Sequence, residues 1–220
     1  MAVCCQCEGL ESQFGPETAR RELRRFRRRG PNRSTQRLID GVRAVGVDGA
    51  SLLDIGGGVG AIHHTLLDAG ATNALHVDVS PDYINAAREE AGRRGHADRV
   101  LFLRGDFVQL APEVADADVV TLDRVICCYP DMPALVGNAA DKTRRVLGAV
   151  YPIDVWWMRL GVRAINALMR VRRSAFRVFV HSPAAIEEVL RSHGLTRVDR
   201  GHTLAWEIAI FERRGEGRPH

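Results

Sequence analysis

The spacing of apolar positions alternates between two periods from residue 51 onward. Short apolar runs, typical of strands buried in a parallel sheet, occur at 51–55, 74–79, 99–103, 117–122 and 145–150. Apolar positions three or four residues apart predict amphipathic helices at 59–69, after Ser80-Pro81, after Pro130-Asp131, at 154–171 and at 183–192. This alternation predicts a doubly wound α/β fold with a mostly parallel sheet and helices on both faces.

The two ends of the chain follow a different pattern. Strands predicted at 195–202 and 204–211 are separated by one residue, so we expect a C-terminal antiparallel hairpin. Helices predicted at 16–29 and 34–45 precede the sheet and are separated by Gly30-Pro31. We therefore expect three parts, which are a helical extension at 1–46, an α/β domain at 47–212 with a helical insertion at about 154–177, and a disordered tail at 213–220.

The charge of the chain is concentrated in two segments. The formal net charge is +4, with seven arginines between Arg20 and Arg29 and six between Arg159 and Arg177. Such a basic surplus favours an anionic partner, which is a carboxylate or phosphate substrate, a nucleic acid or an acidic membrane surface. The segment at 156–173 is also amphipathic and aromatic, which favours peripheral membrane contact, whereas a solvated basic face is the simpler interpretation.

Membrane spans, secretion signals and disulfides are not indicated. The sequence has no uncharged apolar run of about 18 residues, and its first residues lack the pattern of a signal peptide, so we expect a cytoplasmic protein. Five cysteines, an odd number, form the groups Cys4, Cys5 and Cys7, and Cys127 and Cys128. They are interpreted as reduced thiols, as a composite site for a soft metal, or as redox or substrate contacts, and we assign no metal ligands.

The most informative segment is the glycine-rich loop that follows the first predicted strand. It reads Asp54-Ile55-Gly56-Gly57-Gly58-Val59-Gly60 and opens a helix. Glycine permits backbone angles that are closed to other residues, and the missing Cβ lets a ligand lie against the main chain. A nicotinamide dehydrogenase remains an alternative, because Gly56, Gly58 and Ala61 nearly satisfy its fingerprint.

Three acidic residues at successive strand ends favour a different ligand. Asp54 is suited to the ammonium group of an amino acid but would repel a pyrophosphate. Asp78 ends the next strand at the spacing where an acid accepts both ribose hydroxyls, and Gly105-Asp106-Phe107 follows the third strand, where a carboxylate and a ring frame an adenine. Together they predict a ligand with an amino acid, a ribose and an adenine but no phosphate.

These motifs resemble those of the class I S-adenosylmethionine-dependent methyltransferases. Residues 54–60 resemble the family's D/E-x-G-x-G-x-G motif, and Asp78 and Asp106 match its ribose and adenine acids. The resemblance implies a Rossmann-like seven-stranded sheet and S-adenosyl-L-methionine as cofactor. It implies a cofactor site formed by Asp54, Gly56, Gly57, Gly58, Gly60, Asp78, Val79, Gly105, Asp106, Phe107 and Arg124.

The substrate is expected beside the segment after the fourth strand, because ligands of doubly wound sheets bind at the carboxyl ends of the strands. Tyr129 is a candidate to orient a substrate, Asp131 a candidate base and His181 a further acid–base candidate, as are His63, His64 and His202. The alternative is that Tyr129-Pro130 shapes the loop and Asp131 caps the next helix.

The C-terminal half is similar in layout to the magnesium-protoporphyrin O-methyltransferases. Tyr129-Pro130-Asp131, the helical insertion, Phe179-Val180-His181 and the closing hairpin carry this similarity, although Cys127-Cys128 replaces an expected histidine. We expect methylation of a small molecule, favouring an oxygen of an acidic or apolar ring-bearing substrate. A nucleic-acid methyltransferase is the first alternative, weakened by the absence of an Asn/Asp-Pro-Pro-Tyr/Phe motif, and a non-catalytic S-adenosylmethionine-binding protein is the second.

Overall fold

The central strands of the protein are apolar and mostly buried, which suits the middle layer of an α/β sandwich. The computed structural model describes residues 15–213. Its strands are β1 (Ser51–Ile55), β2 (Asn73–Asp78), β3 (Val100–Arg104), β4 (Ala117–Asp123), β5 (Thr143–Pro152), β6 (Leu195–His202) and β7 (Trp206–Arg213). Its α-helices are α1 (Pro16–Arg29), α2 (Arg33–Val45), α3 (Ala61–Asp68), α4 (Pro81–Arg94), α5 (Phe107–Leu110), α6 (Met132–Asp141), α7 (Trp156–Val171) and α8 (Pro183–Ser192).

All seven strands form one sheet in the order β3-β2-β1-β4-β5-β7-β6. The first five strands are parallel, whereas β7 runs antiparallel to both β5 and β6. The predicted Rossmann-like seven-stranded sheet with its antiparallel C-terminal hairpin is confirmed. The order of the strands reverses between β1 and β4, so the loops that follow these two strands border the crevice where such sheets bind ligands.

Each face of the sheet has its own apolar core. On one face, α6 and α8 pack through residues such as Leu135, Val136 and Ile186 against the buried side chains of β4, β5 and β7. On the other face, α2 and α3 pack through residues such as Leu38, Ile39 and Leu66. These side chains are almost completely buried, so burial on both faces stabilises the sheet and fixes the positions of the loops at its edge.

The N-terminal helix α1 lies over the outer surface of α4. Its apolar stripe, Ala19, Leu23 and Phe26, packs against Val59, Tyr83 and Ala86. Beside this contact, the buried carboxylate of Glu90 on α4 accepts hydrogen bonds from Arg27, Arg93 and Arg94. The guanidinium of Arg94 also lies 4.9 Å from the centre of the Phe26 ring.

Several predicted boundaries shift for local reasons. The helix predicted at 59–69 begins at Ala61, because Gly60 adopts the left-handed conformation at its N-cap. The strand predicted at 145–150 extends over Thr143–Pro152, and the helix predicted from residue 154 begins at Trp156. The disordered tail predicted at 213–220 is wrong at Arg213, which ends β7 and donates hydrogen bonds to the carbonyl oxygens of Ala140, Thr143 and His193. The rest of that tail lies outside the described residues.

The helix α7 differs from the others because most of its surface is exposed, and Val162 is the one residue of this helix that is buried. It follows β5 and belongs to the predicted insertion at 154–177. Within residues 15–213, no helix has the combination of length and apolar character that crossing a bilayer requires.

Candidate active site

The glycine loop joins β1 to α3 through backbone conformations that require glycine. Gly56, Gly58 and Gly60 have φ values of 61°, 56° and 81°, which lie in the left-handed region that other residues rarely adopt. Space is also limiting at Gly57, where a Cβ would lie 2.5 Å from the His76 ring and 2.8 Å from the Asp54 carboxylate. The loop therefore lies close over the side chains beneath it and exposes its main chain on the other side.

Asp78 joins the ends of β1 and β2 through its carboxylate. Its Oδ2 accepts a hydrogen bond of 3.0 Å from the amide of Gly58, and its Oδ1 accepts one of 2.9 Å from the amide of Ser80. Burial raises the pKa of Asp78 to about 6, because desolvation disfavours the charged form. The two amides fix the orientation of a carboxylate that lines the wall of the main cavity.

Asp106 holds the corresponding position after β3. It caps α5 by accepting a hydrogen bond of 3.0 Å from the amide of Val108. The Tyr129 hydroxyl donates to the same carboxylate, at 3.1 Å from Oδ1 and 3.0 Å from Oδ2. The adjacent Phe107 is buried in the core, and it lines the cavity together with Gly105 and Asp106.

These strand ends surround one main cavity of about 380 Å³. Part of its wall is formed by residues that the sequence predicts to bind the cofactor, which are Gly56, Gly58, Asp78, Val79, Gly105, Asp106, Phe107 and Arg124. A smaller cavity of about 90 Å³ lies against Gly56, Gly57 and Gly58, and Glu22 and Arg124 line both cavities. Gly60 lines neither cavity and acts as the N-cap of α3. The structure thus brings most of the predicted cofactor residues together.

Asp54 lies beneath the glycine loop and borders only the smaller cavity. Its Oδ1 accepts a hydrogen bond of 2.8 Å from the Thr121 hydroxyl, and its Oδ2 lies 2.9 Å from Nδ1 of His63. Burial raises the pKa of this carboxyl group. Because Asp54 lies beneath the loop and outside the wall of the main cavity, its direct contact with an ammonium group stays a prediction.

Histidines form a buried group next to Asp54. His63, His64 and His76 have almost no exposed surface, and burial lowers the pKa of each to about 3, so they are neutral at pH 7. Asp54, His63 and His76 each bring a ligand-type atom to within 4.8 Å of the others. His63 and His64, considered as acid–base candidates, lie outside both cavity walls, and their rings fill the space below Gly60.

The structure places one of the three predicted catalytic residues in the cavity wall and the other two outside it. Tyr129 lines the main cavity. Asp131 is exposed and caps α6 by accepting a hydrogen bond of 3.1 Å from the amide of Ala134, which is the alternative that the sequence left open. Nε2 of His181 lies 2.9 Å from the backbone oxygen of Tyr129, and its ring stacks on Phe179. Neither Asp131 nor His181 belongs to the cavity wall, so their catalytic roles stay predictions.

Other residues of the site come from distant parts of the chain. Glu22 of α1, Tyr83 of α4, Leu135 of α6 and Trp206 of β7 line the main cavity, together with Val178. The guanidinium of Arg124 lies 5.9 Å from the centre of the Trp206 ring and forms an ion pair with Asp123. Sequence motifs give no signal for these residues, because their positions depend on how α1 and β7 pack.

Comparison with known proteins agrees with this geometry. Residues 52–147, which run from β1 to the middle of β5, match the family model described as a methyltransferase domain. This segment of the chain is therefore similar to methyltransferase domains. Methyltransferases of this fold use S-adenosylmethionine, which agrees with the predicted cofactor. The glycine cradle and the amide-oriented Asp78 fit this cofactor, since they offer bare main chain and an acceptor for ribose hydroxyls.

Curated relatives match only part of this chain. The ribosomal protein L11 methyltransferase of Enterobacter sp. (strain 638) is 32% identical over 92 residues, which are 41% of this chain and 30% of the relative. A counterpart from Salmonella newport is 33% identical over the same shares. The chain therefore spans less than a third of the length of these relatives.

Solved structures extend the likeness to the whole fold. Magnesium protoporphyrin IX methyltransferase from Synechocystis PCC 6803 with bound S-adenosylmethionine has a TM-score of 0.70 and 20% identity, with 97% of this chain and 99% of that chain covered. An O-methyltransferase family protein from Burkholderia thailandensis has a TM-score of 0.69 and 19% identity, with 94% and 63% covered. These structures establish the fold, and they confirm the predicted similarity in layout to the magnesium-protoporphyrin enzymes.

Proposed function

We propose that the protein transfers a methyl group from S-adenosylmethionine to an oxygen of a small molecule that is acidic and carries an apolar ring. The observation that carries this proposal is that acidic residues and apolar residues line one and the same cavity. The acids Asp78 and Asp106 stand at one side, whereas Leu135, Val178 and Trp206 make another part of the wall apolar. Small-molecule sites commonly combine such an apolar wall with a few polar groups.

The residues of the cofactor side have separable roles in this proposal. Bound S-adenosylmethionine supplies the electrophilic methyl group. Asp78 accepts hydrogen bonds from ribose hydroxyls, and Asp106 faces the adenine side. Glu22, which lines both cavities beside Gly56 and Gly58, supplies the carboxylate for the ammonium group. This assignment moves the ammonium contact from Asp54, which lies beneath the glycine loop and outside the wall of the main cavity, to the N-terminal helix.

The acceptor oxygen is proposed to be already ionised, as in a carboxylate or phenolate. Among the described residues, no histidine lines the main cavity, and Asp131 caps α6 at the surface. A neutral alcohol would need a base to remove its proton, but an ionised oxygen needs only alignment and the exclusion of water. Tyr129 is placed to orient this oxygen, and Arg124 is the one cation among the described residues of the cavity wall.

The proposal is tested with methyl-labelled S-adenosylmethionine and a panel of ring-bearing carboxylic acids, phenols and neutral alcohols. We expect label transfer to a carboxylate or phenol, and no transfer by the Asp78→Ala variant. Transfer to RNA or to a protein alone would replace the small-molecule proposal. Tight cofactor binding without transfer to any fraction of cell metabolites would favour a regulatory binding protein. NADH binding without binding of S-adenosylhomocysteine would contradict the cofactor assignment itself.

The membrane contact considered from the sequence is supported by the exposed surface of α7. Trp156, Leu160 and Val171 are 76%, 58% and 82% exposed on this helix. At 100° per residue these three side chains lie within one third of the helix circumference, and Arg159, Arg163 and Arg170 lie beside them. No acidic residue occurs from 155 to 186. We propose that this face rests on an anionic membrane surface.

Contact with the membrane would place the cavity near its source of apolar substrate. Asn166 of α7 exchanges two hydrogen bonds, of 2.8 and 2.9 Å, with the backbone of Val178, which lines the cavity. The helix is therefore linked directly to the wall of the site. A lipid-bound helix would bring an amphiphilic acid to the cavity without passage through water.

Vesicle flotation tests this part of the proposal. The unaltered protein should float with vesicles of phosphatidylcholine and phosphatidylglycerol, and less with phosphatidylcholine alone, because arginines attract anionic lipid. Leu160→Glu with Val171→Glu should reduce binding about tenfold or more, since two apolar anchors are lost. Leu101→Glu is the matched control, because Leu101 is 73% exposed but lies on β3. Equal flotation of all variants would contradict the membrane proposal.

A further inference from the structure

Two adjacent cysteines form part of the cavity wall, and the proposed methyl transfer uses neither. Cys127 and Cys128 end a short 3-10 turn that follows β4. Cys127 is buried and Cys128 is half-buried, and both line the main cavity. Their sulfur atoms lie 3.7 Å apart. Two adjacent thiols on residues that line a cavity are a candidate ligand site.

The loop holds both thiols in one place. Sγ of Cys127 lies 3.2 Å and Sγ of Cys128 lies 3.7 Å from the carbonyl oxygen of Arg124. Arg124 has a φ of 62°, a left-handed conformation that is rare for a residue with a side chain. The amide of Phe179 donates a hydrogen bond of 2.7 Å to the carbonyl oxygen of Cys127 and fixes the turn from the other side. The two sulfur atoms are thus positioned before any ligand binds.

The two thiols have different acidities. The hydrogen bond from the Cys127 thiol and the nearby Arg124 guanidinium lower the pKa of Cys128, although burial opposes this effect. The same hydrogen bond, together with burial, raises the pKa of Cys127. Cys128 is therefore the thiol that ionises first and attacks an electrophile, and Cys127 completes the chelate.

The separation of the sulfur atoms favours a bridging atom over a disulfide. Two thiolates bound to one atom by bonds of about 2.3 Å lie roughly 3.4 Å apart at the pyramidal angle of a three-coordinate centre, and about 3.8 Å apart at a tetrahedral angle. The 3.7 Å observed here lies within this range. A disulfide, in contrast, usually joins Cα atoms about 4.4–6.8 Å apart, whereas adjacent Cα atoms are only about 3.8 Å apart. A disulfide at this turn would therefore distort the backbone, and a bridging atom would not.

We infer that Cys127 and Cys128 form a two-thiol binding site for a monosubstituted trivalent arsenical, at the wall of the methyl-transfer cavity. Among the described residues, the cluster of metal-ligand side chains is Asp54, His63 and His76, and it does not include this pair. The bound centre must therefore bring its own third substituent. An arsenoso compound, R–As=O, forms two As–S bonds with the thiols, and its oxygen leaves as water with both thiol protons. Arsenic stays trivalent, so no oxidant or reductant is needed.

Phenylarsine oxide is the probe that tests this site. The chain with Cys4, Cys5 and Cys7 changed to serine retains only the cavity pair, since the sequence has five cysteines. Intact mass spectrometry should show one phenylarsenic group per chain and the loss of both titratable thiols. A dithiol should reverse the reaction, whereas the same concentration of a monothiol should not, because the chelate binds more tightly than two separate thiols.

Single substitutions in the chain that already lacks Cys4, Cys5 and Cys7 test whether both cavity thiols bind the arsenic. Cys128→Ser and Cys127→Ser should each weaken uptake about 100-fold or more, because one thiol cannot chelate. Binding of S-adenosylhomocysteine shows that each variant is folded. If Cys127→Ser at the buried position prevents folding, Cys128→Ser at the half-buried position still tests the inference. No uptake by the chain that keeps the pair, or equal uptake by a folded single-thiol variant, would overturn the inference. Neither result bears on methyl transfer to oxygen, which is measured separately.

Discussion

The hydroxyl of Tyr129 donates to both carboxylate oxygens of Asp106, at 3.0 and 3.1 Å. Asp106 follows β3 and Tyr129 follows β4, so this contact joins two loops at the same edge of the sheet. Both residues line the main cavity, where Asp106 is proposed to face the cofactor and Tyr129 the substrate. The contact therefore links the orientation of the cofactor acid to the substrate loop.

Removing this hydroxyl should weaken cofactor binding. Tyr129→Phe keeps the ring but leaves Asp106 without the donor, and one hydrogen bond to a charged group contributes about 1.5–3 kcal/mol, so we expect about tenfold weaker binding of S-adenosylhomocysteine. Calorimetric titration measures it. Tyr151→Phe is the control, because Tyr151 makes a similar bond of 3.2 Å to Glu207 in the core. Equal affinities for Tyr129→Phe and the unaltered protein would contradict this role.

Cofactor affinity should depend on pH through Asp78. Burial raises its pKa to about 6, so the carboxyl group is protonated at pH 5 and ionised at pH 7.5. Only the ionised form offers acceptors to both ribose hydroxyls, and we expect affinity for S-adenosylhomocysteine to fall about tenfold from pH 7.5 to pH 5. Asp78→Asn should bind weakly at both pH values and lose this dependence.

Asp98→Asn provides the comparison for that measurement, because Asp98 is an exposed acid in the turn before β3. This variant should keep both the affinity and the pH profile. A profile that survives the Asp78→Asn substitution would assign the titration to another group.

Gly56 should be the least replaceable residue of the loop. Its φ of 61° is unfavourable for alanine, and an added methyl group would overlap Cγ2 of Val125. We expect Gly56→Ala to lower the free energy of unfolding by about 1–3 kcal/mol. Gly92→Ala in α4 is the matched control, because a methyl group there meets no atom within 4 Å and should stabilise the helix by about 0.5–1 kcal/mol. Thermal unfolding measures both, and similar values for the two variants would be inconsistent with a strained loop.

The parts of the fold and site that the sequence predicts are those set by local patterns. The strand run 51–55, the glycine loop and Asp78 are neighbours in sequence, and their contacts follow from the strand–loop–helix unit itself. The cap role of Asp131 was likewise one of two interpretations available from the residues around it. Such features need no knowledge of how distant segments pack.

Contacts between distant segments account for what the sequence did not predict. Asp54 looked suited to an ammonium group, but its partner Thr121 lies 67 residues away on the neighbouring strand. The position of Glu22 over the glycine loop depends on α1 packing against α4, where Arg27 and Glu90 are 63 residues apart. The periodicity of the apolar residues predicts that α1 is a helix, but it does not show against which part of the protein this helix packs.

The attachment of α1 should depend on Glu90. This buried carboxylate accepts from Arg27, Arg93 and Arg94, and these hydrogen bonds hold its pKa below the ordinary value. An acid with a lowered pKa stabilises the fold above its ordinary pKa of 4.5, and this contribution is lost as the pH falls below that value. Glu90→Gln should lower the free energy of unfolding at pH 7 by about 1–3 kcal/mol. The loss relative to the unaltered protein should shrink as the pH falls toward 3.

Hydrogen exchange locates the effect of that substitution. Amides of α1 should exchange faster in the Glu90→Gln variant, whereas amides of the central strands should change only with global stability. Glu188→Gln is the control, because Glu188 is exposed and pairs with Arg191 within α8. Unchanged exchange in α1 would mean that its apolar stripe alone holds the helix.

The carboxylate that binds the ammonium group can be identified with two ligands. Glu22 lines both cavities and interacts with Tyr83, whereas Glu17 on the same helix is exposed. Glu22→Gln should weaken binding of S-adenosylhomocysteine about tenfold, since a hydrogen bond to a charged group is lost. It should leave binding of 5′-methylthioadenosine unchanged, because that ligand has the ribose and adenine but no ammonium group. Glu17→Gln should affect neither ligand. If Glu22→Gln weakened both ligands equally, Glu22 would support the pocket through α1 packing, and Asp54 would again be the candidate for the ammonium contact.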